Sequence, residues 1–148
     1  MTISQAMATT IQMIRDDFSL LDEWEDRYRY VIELGEALPP FPDAERNAVN
    51  KVPGCVSQVW LTTEQAPGAD PVITFTGDSD AHIVRGLVAI MLALFSGRSA
   101  SQILETDAEA TLKSLGLDEH LSPQRANGLR SMVKRIKRDA EMALRQTA

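Results

Sequence analysis

Cys55 is the sole cysteine of the 148-residue chain, and it follows directly on Pro53-Gly54 in "NKVPGCVSQVWL", residues 50–61. Proline and glycine at the second and third positions of Val52-Pro53-Gly54-Cys55 predict a type II turn, because only glycine readily takes positive φ at the third. Such a turn projects the thiol from its exit, and loop tips on a rigid scaffold are favoured sites for chemistry. The plainer alternative is a small buried hydrophobe, a common fate of free cysteine. One cysteine makes no internal disulfide and no cysteine cluster for zinc or an iron–sulfur centre. The imidazoles, His82 and His120, give no protease-type signature around Cys55, and the chain has no Cys-x-x-Cys pair. A thiolate acting alone can attack another sulfur, as in thiol–disulfide exchange. That is the chemistry of a carrier.

Other reactive side chains carry weaker signals. "GDSDAH", residues 77–82, sets Asp78, Asp80 and His82 close together, but the spacing matches no calcium or zinc loop. The aspartates and Ser79 read as caps for the helix that follows, and His82 as a surface or packing residue, so no metal is expected. The C-terminal "RSMVKRIKR" reads as a solvated helix face with cations well placed against the dipole. The chain is acidic overall and offers no stacking platform for bases, so no nucleic acid is expected. Arg125 differs, because it falls in the first turn of a helix, where a cation opposes the dipole. That placement predicts a tertiary role, towards an acid or an incoming anion. Trp24, Tyr28 and Trp60 read as core aromatics.

The elements that position these groups follow from periodicity. Ile3, Met7, Ile11, Ile14, Phe18 and Leu21 form one helical stripe, and Trp24, Tyr28, Val31, Ile32 and Leu34 form a second, stopped by "LPPFP". "CVSQVWLTT" alternates as a strand from Cys55 onward, and "PVITFTG" reads as an antiparallel partner across the "EQAPGAD" loop. "HIVRGLVAIMLALF" is apolar nearly all round, which predicts a buried helix on a sheet face, stopped at Gly97. "SASQILETDAEATLKSLGL" predicts one or two short helices. Ser122 as N-cap with Pro123 at the first position starts the last helix, whose stripe is Leu129, Met132, Val133, Ile136 and Ala140. The class is α+β.

The totals agree. Apolar residues make 44% of the chain and charged residues 24%, which is ordinary globular composition. The longest apolar run, residues 87–95, is far short of the about 20 residues that span a bilayer, so no membrane is expected. Residues 1–18 lack the pattern of a secretory signal, and the reading is a protein of the reducing cytoplasm. The net charge of −6 is uneven: residues 1–45 hold ten acids and three bases, residues 125–145 seven bases and two acids. Such a dipolar molecule suits a charged protein partner.

Four blocks, "WEDRYRYVIELGEALP" (24–39), "GCVSQVW" (54–60), "GDSDAHIVRGLVA" (77–89) and "LSPQRANGLRSMV" (121–133), resemble the SufE/CsdE sulfur-acceptor family in order across residues 10–143. The resemblance implies one SufE-like domain over residues 1–148, a small antiparallel sheet covered by helices as in the IscU scaffold fold. It implies that Cys55 takes sulfane sulfur from the persulfide of a PLP-dependent cysteine desulfurase of the SufS or CsdA type. The sulfur then passes to a SufBCD-type scaffold for iron–sulfur cluster assembly, and its removal stimulates the desulfurase. The resemblance implies no cofactor of the protein's own. Gly54, Ser57 and Gln58 in the cysteine block, and Asp80, His82 and Arg125 in the other two, are expected near the Cys55 loop as supporting or partner-binding residues. The other functional class that the residues allow is a non-catalytic protein-binding module in which Cys55 only packs.

Overall fold

The computed structural model describes residues 10–55 and 57–147, so Ile3, Met7 and Val56 of the stripes above lie outside the described residues. Helix α1, Ile11–Ser19, opens on Thr10, whose hydroxyl accepts from the Met13 N–H, and it buries Ile11, Ile14 and Phe18. Helix α2, Trp24–Glu36, carries Glu25 and Asp26 in its first turn, where the dipole favours them. A short 3-10 turn, Asp43–Glu45, leads into the cysteine loop. Strands β1, Val59–Gln65, and β2, Val72–Ser79, follow, then helix α3, His82–Phe95, and a two-residue strand β3, Arg98–Ser99. Three short helices, α4 (Ala100–Glu105), α5 (Ala108–Ser114) and α6 (Leu117–His120), precede the long α7, Pro123–Thr147.

The three strands form one antiparallel sheet in the order β1-β2-β3, with Val59 opposite Ser79 and Gln65 opposite Ile73. The sheet packs under α3, which is itself covered by α2 and touched by α7. Val59, Leu61, Ile73 and Phe75 from the sheet meet Leu87, Ile90, Met91, Leu94 and Phe95 of α3 in one core. As the apolar pattern predicts, α3 is buried on most sides, and Gly97 follows it with φ +81°.

Two glycines let α2 and α3 cross closely. A Cβ on Gly35 would lie 2.6 Å from the Gly86 nitrogen, and one on Gly86 would strike the Val31 carbonyl. Backbone meets backbone there, so no side chain can yield.

Several details correct the sequence reading. Strand β1 begins at Val59, not at Cys55; Cys55, Ser57 and Gln58 lie in a loop despite the alternation of the sequence there. Asp78, Ser79 and Asp80 do not cap α3. Its N-cap is Ala81, with no side-chain bond, and the three polar residues are engaged elsewhere. The expectation of one or two short helices after α3 becomes α4, α5 and α6, the last opening at Gly116 with φ +71°. The basic C-terminal run is also less solvated than expected: the Arg135 side chain is only 12% exposed, between Asp139 and the Val49 carbonyl, and Lys137 donates to the Leu104 and Thr106 carbonyls. Trp60 is buried as expected, whereas Trp24 and Tyr28 are half-buried, Trp24 stacked on the His120 ring at 3.9 Å.

Gly86→Ala is expected to lower the unfolding free energy by about 1–3 kcal/mol, the usual cost of overpacking, at an unchanged m-value in urea. An unchanged midpoint would mean that the helices do not cross at backbone contact.

Candidate functional site

The residues that flank Cys55 build a hairpin of their own. The Val52 N–H donates to the Val59 carbonyl at 2.8 Å, and the Leu61 N–H donates to the Asn50 carbonyl at 2.9 Å. Lys51 thereby bridges Trp60 along the free edge of β1. Residues 53–55, 57 and 58 lie in the loop that closes this hairpin, and Cys55 lies near its tip. Gly54 has φ +87°, the left-handed value that the proline-glycine turn demands.

The exit of the loop is held twice. The Gln58 N–H donates to Asp80 Oδ1 at 3.0 Å and its side-chain amide to Oδ2 at 3.3 Å. The Ser79 hydroxyl and the Asp80 N–H both donate to the Gln58 carbonyl. Its approach is held by Asp78, which is 5% exposed. The Arg46 guanidinium donates to Asp78 Oδ2 at 2.7 and 3.2 Å, and Arg85 Nε stands 2.9 Å from Oδ1 as an ion pair without hydrogen-bond alignment. Arg46 also pairs with Asp43 and lies over the Phe41 ring.

Cys55 is half-buried, and its thiol donates to the Gly128 carbonyl of α7 at 3.6 Å. Burial pushes the thiol pKa up, since a thiolate there loses hydration, and an accepting carbonyl favours the neutral form as well. A cavity of about 350 Å³ opens beside Sγ. Buried Val84, Leu87 and Met132 make its floor, while Ser57, Gln124 and Arg125 give it a polar rim. Arg125 is exposed, and among the described residues its guanidinium has no ion-pair partner. No group of acids, histidines and cysteine among the described residues is arranged to hold a metal.

The expected site residues therefore separate. Cys55, Ser57 and Arg125 line one cavity, Gly54 shapes the loop, and Gln58 and Asp80 fasten it. His82 is exposed at the first position of α3 and does not line the cavity. Gly128 and its neighbour Ser131 escaped the sequence reading. The signal that could have found them was Gly128 itself, since a mid-helix glycine costs about 1 kcal/mol relative to alanine and marks a close approach.

The comparisons with known proteins converge on one group. The family model described as "SufE: Fe-S metabolism associated domain" matches residues 12–140. The chain belongs to the SufE family. An uncharacterized SufE-like protein of Rhizobium meliloti is 62% identical over 134 residues, 90% of this chain and 96% of that one. A second, from Rhizobium etli, is 58% identical over 137 residues, 92% of each chain. The solution structure of a hypothetical protein from Thermus thermophilus shares the fold with a TM-score of 0.71 at 20% identity, covering 90% of this chain and 95% of that one. Family membership supports a role in iron–sulfur metabolism. Among the described residues, no helix is long and apolar enough to cross a membrane.

Two outcomes follow from this geometry. Because burial disfavours the thiolate, alkylation of native Cys55 should rise with pH along a curve centred above the about 8.5 of free cysteine, and urea should return it to that value. By linkage the unfolded chain releases this proton first, so the native advantage falls as pH climbs from the unfolded towards the folded pKa. A native curve at or below that of free cysteine contradicts the resting geometry. Asp78→Asn leaves Arg46 and Arg85 facing each other; since both are about a third exposed, water offsets part of the loss, and about 2 kcal/mol of stability should disappear in urea melts.

Proposed function

We propose that the protein is a sulfur carrier that takes sulfane sulfur onto Cys55 from the persulfide of a PLP-dependent cysteine desulfurase and delivers it for iron–sulfur cluster assembly. The observation that carries this reading is a single thiol on a loop hinged at both ends, with an open cavity beside its sulfur. Membership of an iron–sulfur metabolism family supports the same direction.

The transfer needs no redox partner. The Cys55 thiolate attacks the outer sulfur of the donor's S–S–H group. The donor's S–S bond breaks, its electron pair leaves on the donor cysteine as thiolate, and the outer sulfur keeps its proton as it becomes Cys55–S–S–H. Clearing the donor cysteine in this way frees the desulfurase for another turnover, which is how the carrier stimulates it. The same step in reverse sense, with a thiolate of a SufBCD-type scaffold as attacker, hands the sulfur on.

Burial keeps the resting thiol protonated, so docking must bring it out before it can attack. At rest the apolar floor shelters a bound sulfur from stray thiols and oxidants. Gly54 and Ser57 shape the loop, Asp80 and Gln58 anchor its exit, and Arg125 faces the incoming charge at the cavity's rim. His82 is left for the partner's surface. The chemistry belongs in the reducing cytoplasm, where thiols stay free.

Incubated with active cysteine desulfurase and cysteine, the protein should gain the mass of one sulfur atom at Cys55, removable by a thiol reductant. Cys55→Ser should gain none and should fail to accelerate the desulfurase. An unmodified Cys55 after that incubation ends the proposal.

A further inference from the structure

The tip of the Cys55 loop does not hang free over the cavity, because it lies on a short stretch of α7. A Cβ on Gly54 would stand 2.5 Å from Ser131 Oγ, well inside contact distance. On the same helix, Gly128 accepts the thiol proton on its carbonyl, and a Cβ on Gly128 would lie 3.7 Å from Sγ, an ordinary contact. Residues three apart share a helix face, so Gly128 and Ser131 together make one shallow step under the loop. Position 54 touches that step with its backbone, and glycine there serves both the φ of +87° and the missing room. With Ser131 in its present rotamer there is no room for a side chain at residue 54.

The two ends of the loop are fastened without α7, by the Val52/Val59 backbone pair and by Asp80 on Gln58. What turns the tip inward is therefore separable from what closes the hairpin. We propose that the Gly128/Ser131 step is the seat of the Cys55 loop, and that Ser131 is a positioning residue whose size sets the balance between a withheld and a presented thiol. Ser131 is partly exposed, and the side of it that faces the loop is filled by the Gly54 backbone; a larger side chain turned to that side lifts the tip while the anchors hold. A smaller one leaves the seat intact. The seat gains its biological meaning from the sulfur-carrier reading, but its existence is a matter of thiol access alone.

Native alkylation of Cys55 by iodoacetamide tests this directly. Ser131→Leu should label about tenfold faster than wild type, as a shift of the inward–outward balance gives, while Ser131→Ala stays within about twofold. All three proteins should label at one rate in urea. A folded Ser131→Leu that labels at the wild-type rate overturns the seat. Equal acceleration in Ser131→Ala overturns the claim that size governs it. If Ser131→Leu does not fold, Gly54→Ala meets the same clash from the loop's side, and an unchanged labelling rate there overturns the proposal equally. Desulfurase loading of wild type, run in parallel, separates the two ideas: absent sulfur with accelerated Ser131→Leu sinks the carrier reading alone, and normal loading with unaccelerated Ser131→Leu sinks the seat alone.

Discussion

One buried carboxylate organises the surroundings of the thiol. Asp78 sits at the end of β2 with Arg46 on one oxygen and Arg85 beside the other. Arg46 belongs to the segment that leads into the cysteine loop, and Arg85 to the helix whose Val84 and Leu87 floor the cavity. The segment that leads into the loop and the first turn of α3 are thus both fixed to the end of β2. A desolvated carboxylate is costly unless its charge is met by well-placed donors, so the arrangement tolerates little displacement. The next two residues, Ser79 and Asp80, grip Gln58 at the loop's exit. The end of β2 therefore anchors both sides of the loop.

Magnitudes show that the loop tip is held more weakly than its base. Hydrogen bonds to charged groups contribute about 1.5–3 kcal/mol each, and the Asp78 and Asp80 carboxylates accept several of them. The tip is held by one weak S–H···O bond and by van der Waals contacts worth about 0.1–0.2 kcal/mol per atom pair. Beneath it, the Gly35 and Gly86 crossing presses α2 onto α3 at backbone distance, which leaves the scaffold no slack to follow a moving loop. A soft tip on a stiff frame suits a thiol that is sheltered in one state and offered in another.

Much of this was legible in the chain, and the limits have physical causes. The proline-glycine turn, the antiparallel pair, the buried α3 and the Ser122-Pro123 start of α7 are local signals, and each appears where it was read. What local pattern misled was the alternation after Cys55, where the loop residues Cys55, Ser57 and Gln58 sit in a sequence that mimics a strand. The capping assignment at residues 78–80 failed for a different reason. Tertiary partners took those side chains: an arginine 32 residues away for Asp78, and a glutamine 22 residues away for Asp80. The contact between the cysteine and Gly128 spans 73 residues, and no periodicity encodes it. Arg125 was singled out because it opposed its own helix dipole, and such a local conflict is where a sequence hints at a job done elsewhere.

The pairing of Val52 with Val59 also limits how far the sulfur can travel. Cys55 is three residues past that clasp, and an extended chain covers at most about 3.3–3.6 Å per residue, so a tether of roughly 10 Å is all it has. While the clasp holds, the thiol cannot fish in solution or probe deep into another molecule. On the proposed sulfur-carrier function, any sulfur it exchanges has to be brought almost to this protein's own surface, so that shape match between the two proteins, rather than length of arm, would decide which one it serves.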